Sequence, residues 1–293
     1  MLLLTLANSL YKPYGILGSS FAIITIILSI LFIYLGGKIK NERTLNRVIL
    51  IFGIIFITME ITHEVRRYFE LGGYDFSSFP FQISSVSMYL CVIIQLVGRG
   101  RIRSSILSFM SLFTVLSGVL PIFFAQGNLF RWGSMVGVMF SFIWHLLLAM
   151  LGCLVMGHIK MGKSLKVDKV RIAEAVVVFV LVTCIAQVLN FSIHHLATPW
   201  QMPEVGYKEV GYIKNYELDP DSASLFYISP YFKSNISIGL AAIWLRGGFL
   251  LAWAAYAFIF IILALLIYFS SFGIRKMIVA INNKKMLKEP RIS

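Results

Sequence analysis

The chain has 293 residues, of which 58% are hydrophobic and 13% charged, against roughly 45–50% and about 25% in soluble globular domains. Its mean hydropathy of +0.83 is concentrated in runs of roughly 20 residues, each able to cross about 30 Å of hydrocarbon, which excludes an ordinary soluble enzyme and a disordered polypeptide. A formal charge of +13 suggests nucleic acid in a soluble protein, but in a membrane chain its placement reports orientation first.

Seven apolar runs bounded by charges, Gly or Pro are predicted as spans, over 14–37, 48–70, 79–98, 104–124, 134–157, 172–197 and 249–272. Lipid cannot satisfy backbone polar groups, and no segment shows the alternation of a barrel strand, so every span is predicted α-helical. The expected fold is an all-α membrane protein, one polytopic domain over 1–293 built as a bundle of seven transmembrane helices. The stretch 1–13 opens with Leu2, Leu3 and Leu4 but has no basic region. It reads as a short interfacial segment or a frayed terminus and not as a cleaved signal.

The connections divide their charge by parity. Lys38, Lys40, Arg43 and Arg47 follow the first span; Arg99, Arg101 and Arg103 follow the third; Lys160, Lys163, Lys166, Lys169 and Arg171 follow the fifth. The basic tail over 273–293 completes a set that holds 18 of the 26 Lys and Arg residues. The positive-inside rule puts these segments in the cytoplasm and the amino terminus outside, in a multi-pass protein of the cell membrane. The basic excess then serves topology and anionic headgroups, so membrane lipids are the expected partners and no nucleic acid is needed. Cys91, Cys153 and Cys184 all lie in apolar spans, where a small buried hydrophobe is the usual role. The one long connection, over 198–248, is external by this parity and rich in Trp, Tyr and Phe. That composition predicts a packed cap over the outer side.

The second span carries Glu60, His63, Glu64 and Arg67 at i, i+3, i+4 and i+7, on one helical face that cannot look at lipid. Such a face is either a ladder of ion pairs locking helices together or the wall of a binding or catalytic site. Gln82 and Ser84 stand in the first turns of the third span beside Pro80, a helix-initiating residue. His145 lies partway along the fifth span, and Asn190 and His194 follow Gln187 along one face at the outer end of the sixth. Four of the five histidines thus fall in the outer half beneath the aromatic loop, the default arrangement of a polar pocket in a helical bundle. A metal held by His63, Glu64, His145 and His194 is conceivable by ligand type, but Arg67 occupies the position where a His-Glu-x-x-His motif needs its second His. No metal and no cofactor is expected. A retinal Schiff base is disfavoured because the seventh span has no Lys.

The run from Glu60 to Arg67, the Gly72-Gly73 pair, Phe79-Pro80-Phe81-Gln82-Ile83-Ser84 and the His145 preceded by Phe142-Ile143-Trp144 resemble the YwaF-type bacterial integral membrane proteins. The resemblance runs from Glu60 to Phe272 through span order and these short motifs. That family is distantly similar to an animal membrane protein that transfers acyl chains to ether lysophospholipids with a Cys and a His. The resemblance therefore implies lipid acyl transfer. On the matching positions Glu60, Arg67, Pro80 and His145 agree, whereas Gln82 stands for the bacterial family's His, Ser84 for its Cys, and Phe81 at the position of the animal Cys.

Two functions are expected from these residues. One is a lipid-active enzyme in the outer leaflet, with His145 as general base, Ser84 as nucleophile, Arg67 holding an anion and Glu60 orienting the partners. The other is a non-catalytic sensor, binding or transport protein whose outward pocket takes a lipid headgroup or small polar solute. In both, Glu60, His63, Glu64, Arg67, Gln82, Asn190 and His194 line the binding surface.

Overall fold

The computed structural model describes residues 13–74, 79–126, 129, 135–161, 170–201, 248 and 250–270. All described secondary structure is helical. In chain order the helices are α1 (Ile16–Lys38), α2 (Glu42–Leu71), α3 (Ile83–Leu96), α4 (Arg101–Phe124), α5 (Met135–Met161), α6 (Val170–Gln201) and α7 (Leu250–Ser270). Six of them are long and apolar enough to cross a membrane, which makes this a multi-pass membrane protein.

The exception is α3, whose 14 residues reach about 21 Å at 1.5 Å per residue. The sequence predicts a full span over 79–98 with Pro80 starting the helix, but the helix begins after Gln82, which is its N-cap. Pro80 disfavours helix at the residue before it and adds no donor of its own, so Phe79–Gln82 stays non-helical. The Tyr89 hydroxyl donates to the Pro80 carbonyl at 2.7 Å and ties that segment back onto α3. Elsewhere the helices overrun the apolar runs. Asn41 caps α2 by accepting from the Thr44 N–H at 2.7 Å, and Gly72, at φ 73°, closes it with its N–H on the Tyr68 carbonyl. Residues 198–201, expected in the external loop, form the last turn of α6. The rest of that aromatic loop through 247, the basic tail over 273–293 and the amino-terminal segment 1–12 lie outside the described residues.

Burial falls unevenly across the bundle. In α4, 78% of the apolar window is buried, against 17% in α1 and in α7. α4 is therefore the central rod, with α5 and α6 packed on it, α1 lying along α5 and also touching α4, and α2 beside α3. The outward sides of α1 and α7 expose Ile23, Ile27, Ile30, Phe258, Leu266 and Phe269, an apolar surface that only hydrocarbon accommodates at this extent.

Lipid tails are as apolar as the side chains, so helix association relies on close backbone approach and polar contacts. Glycines supply the approach. Gly36 of α1 lies against the Leu154 backbone of α5, and Gly157 of α5 lies against Ile33 of α1, where an added Cβ would stand 2.8 Å from the Ile33 carbonyl carbon. Aromatic rings supply further adhesion. Phe109, Phe113, Phe179 and Phe260 form a chain linking α4, α6 and α7 at centroid separations of 5.1, 4.5 and 5.9 Å; such pairs add about 0.5–1.5 kcal/mol each beyond their burial. Inside α4 the backbone widens into a π turn over Met110–Thr114, where Thr114 and Ser87 of α3 share a 2.7 Å hydroxyl bond.

The Gly157→Leu variant is predicted to lose about 1–3 kcal/mol of stability through overpacking. Gly98→Ala, whose added carbon meets nothing within 4 Å, should unfold with the parent. Thermal unfolding of both in detergent, followed by fluorescence-detected size exclusion, reads the difference.

Candidate functional site

The α2 face on which the sequence analysis centred is turned inward. His63 is 5% and Arg67 7% exposed, while Ile61, Val65 and Phe69 on the same turns are 59%, 51% and 79% exposed. Glu60 and Glu64 are half-buried beside them. The cause is the helical period: four ionisable residues at i, i+3, i+4 and i+7 share one stripe, and the apolar residues between them face hydrocarbon.

His63 stacks on Phe140 of α5, with centroids 4.5 Å apart and planes 19° from parallel. It ends a ladder of rings that climbs from Phe32 through Phe52, Phe56, Trp144 and Phe140, crossing between α2 and α5. The ladder brings the α2 face to the same part of α5 that carries His145, one residue past Trp144. Arg67 Nη1 lies 3.4 Å from Glu70 Oε2, and Arg66 Nη1 lies 3.0 Å from Glu70 Oε1. One carboxylate at the helix end thus gathers both guanidinium groups, a pairing signalled by i, i+3 and i, i+4 spacing.

α3 packs beside α2 and presents Gln82 and Ser84 in its opening turn, both half-buried. The Gln82 carbonyl accepts from the Ser85 and Val86 N–H groups at 2.9 and 3.0 Å. On α6, Asn190 is buried, and half-buried His194 holds its ring 4.8 Å from that of His195. α6 packs against the Arg101–Phe109 stretch of α4. Among the described residues no three His, Cys, Asp or Glu side chains converge as metal ligands.

His145 has a partner that sequence reading did not anticipate. Its Nδ1 lies 2.7 Å from the Ser117 carbonyl of α4. A carbonyl only accepts, so Nδ1 carries the proton and Nε2 keeps the lone pair. The reason this carbonyl is available lies four residues on: Pro121, inside α4, has no N–H with which to close the helical bond to Ser117. His145 fills the gap from the neighbouring helix. Gly118 makes the approach possible, because a Cβ there would stand 2.7 Å from the His145 carbonyl oxygen. Among the described residues no hydrogen bond joins His145 to Ser84. The signal in the sequence was the Ser117–Pro121 spacing, which marks an orphaned carbonyl wherever a proline sits inside a span.

A second polar cluster lies at the opposite end of the bundle, where the sequence shows only topogenic charge. Arg99 Nε donates to Glu42 Oε2 at 2.8 Å, and Arg101 Nε to Glu174 Oε1 at 2.8 Å. Buried Arg103 donates to the Ile94 carbonyl at 3.0 Å and to Asn46 Oδ1. These contacts clasp the amino ends of α2, α4 and α6 to one another.

Comparison of the chain with protein-family models, with curated proteins and with solved structures gave no match. The resemblance to YwaF-type proteins therefore rests on span order and the short motifs.

The bond from His145 sets a measurable expectation. His145→Ala leaves the Ser117 carbonyl unmet and is predicted to cost about 1–2 kcal/mol. In a Pro121→Ala background, where residue 121 regains an N–H, the same substitution should cost less by about 1 kcal/mol. Reversible unfolding of the four proteins in bicelles tests the coupling; additive losses would refute it.

Proposed function

We propose that this chain is a membrane binding protein, with seven crossings and its amino terminus outside, whose outer-half pocket recognises a zwitterionic lipid headgroup or small zwitterionic solute without transforming it. The observation that carries this reading is the inward turn of Glu60, His63, Glu64 and Arg67 on a helix whose apolar residues face lipid. An ionisable group in hydrocarbon costs about 2.5–3.5 kcal/mol on insertion scales, so the chain gains from concentrating these residues where a polar ligand or one another can offset it. Two carboxylates complement an ammonium, and the forked guanidinium of Arg67 complements a phosphate or carboxylate. The α3 helix, short but flanked by the non-helical Phe79–Gln82, is the remaining crossing in this topology.

The bond from His145 to the Ser117 carbonyl favours binding over acyl transfer, since the candidate base is committed to holding α4 and α5 together. Acyl transfer, which the YwaF-type resemblance implies, keeps one supporting feature: with Nδ1 occupied, His145 Nε2 is the basic nitrogen.

Purified protein in nanodiscs is expected to retain zwitterionic phospholipid in native mass spectrometry. Arg67→Gln and Glu60→Gln should each weaken that retention about tenfold, the equivalent of one lost charge-assisted contact. Conversion of a labelled phospholipid that stops in both Ser84→Ala and His145→Ala would replace this reading with the enzymatic one. Labelling of single cysteines placed in 99–103 from the external side would overturn the topology.

A further inference from the structure

The opening turns of α2 carry two arginines that the assembled bundle leaves unused. Arg66 and Arg67 meet Glu70, Arg99 meets Glu42, Arg101 meets Glu174, and Arg103 meets Asn46. Arg43 and Arg47 have no ion pair and no hydrogen-bond partner among the described residues. Both are exposed, whereas Leu45 and Ile49, on the other side of the same turns, are fully buried. The two guanidinium groups therefore point away from the bundle, one turn apart on a single face. Glu42, the carboxylate beside them in sequence, is held by Arg99 at 2.8 Å, and Asn41 caps the helix end through the Thr44 N–H. The charge on this face is not answered within the protein.

The same face continues as hydrocarbon surface. Leu50, Ile51, Ile54 and Ile61 are 39%, 55%, 56% and 59% exposed, and at helical period they fall on the side of α2 that carries Arg43 and Arg47. Arg47 immediately precedes the apolar run, so it stands where hydrocarbon begins. From Arg47 to Ile54 the helix rises about 10 Å, two-thirds of the roughly 15 Å depth of one leaflet. A pair of forked cations at the membrane boundary, continued by an apolar track, complements a molecule that joins an oxyanion to hydrocarbon chains.

We propose that this face of α2 binds one anionic phospholipid from the leaflet at that end, with its phosphate between Arg43 and Arg47 and its chains along Leu50, Ile51 and Ile54. Residues four apart on a helix hold their Cβ atoms about 6 Å from each other, so both forks reach one phosphate. Two positive charges with no carboxylate to offset them favour a headgroup of net negative charge. A zwitterionic headgroup brings an ammonium group close to the same arginines and loses part of the attraction. A lipid held here anchors the depth of α2 in the membrane. The site lies on the opposite face of α2 from Glu60, His63, Glu64 and Arg67, and near its other end, and it does not depend on the function proposed for them.

The test uses the full chain in nanodiscs of equal phosphatidylglycerol and phosphatidylcholine, with the phosphatidylglycerol that stays bound read by native mass spectrometry. The parent should retain one such lipid. Arg43→Gln and Arg47→Gln should each weaken that retention about fivefold, the equivalent of about 1 kcal/mol per arginine at a membrane surface, and together about 25-fold. Because both side chains are exposed and unpartnered, the double variant should unfold at the parent's midpoint in phosphatidylcholine alone. Lys38→Gln combined with Lys40→Gln removes the same charge from the same end and should leave the retained phosphatidylglycerol in place. Arg67→Gln, in the outer-half pocket, should also leave it in place. A parent that retains no phosphatidylglycerol, retention that survives the arginine double variant, or retention that falls equally with the lysine pair overturns the proposal. Glycerol 3-phosphate titrated onto phosphatidylcholine nanodiscs should not bind; binding that depends on Arg43 and Arg47 would make the ligand a soluble anion and overturn the lipid assignment.

Discussion

A backbone carbonyl inside hydrocarbon has no water to turn to, and Pro121 leaves one without its helical donor. The way this chain resolves that single deficit organises its centre. His145 reaches across from α5 to donate to the Ser117 carbonyl, Gly118 lets the two backbones close to the distance that bond requires, and the π turn just before it widens α4 where Thr114 meets Ser87. The most buried helix of the bundle is therefore also its least regular. Interhelical hydrogen bonds in membrane proteins contribute about 0.6 kcal/mol on average; this one is expected above that average because its acceptor has lost the helical partner it would otherwise have.

The same constraint explains why the two ends of the bundle differ in chemistry. At one end the ionisable residues belong to a single helix face, and their neighbours include a ring of α5, Tyr89 of α3 and the charges of α2 itself. At the other end the charges come from three different helices, and pair across them: Glu42 with Arg99, Glu174 with Arg101, Asn46 with Arg103. Exposed ion pairs of this kind contribute little in water, about 0–1 kcal/mol. Their value here is positional, since they set the ends of α2, α4 and α6 relative to one another. Basic residues that the positive-inside rule reads as topogenic thus also join helix ends once the bundle has assembled.

Each helical element is located by its apolar run, with ends that move by as much as the shift of α2 from residue 48 to Glu42, because length and hydropathy are what the bilayer selects. The third fell short because Pro80 acts before the helix and not in its first turn, a distinction that hydropathy does not carry. On the candidate site, the shared stripe of Glu60, His63, Glu64 and Arg67 follows from the helical period alone. The partners do not. Nothing in the order of residues says that His63 meets Phe140 or that His158 lies beside a cavity.

The amino-acid sequence by itself determined that this is a helical membrane protein, where its apolar runs lie and which side chains on each rod must turn from lipid, because all of these depend on residues close together in the chain. Only the tertiary structure decided which rod each polar group answers to. His145 shows the division: spacing puts it inside an apolar span, but its role comes from a proline 24 residues away on another helix. Periodicity reports a residue's direction on its own helix, and direction becomes chemistry only when the facing helix is known.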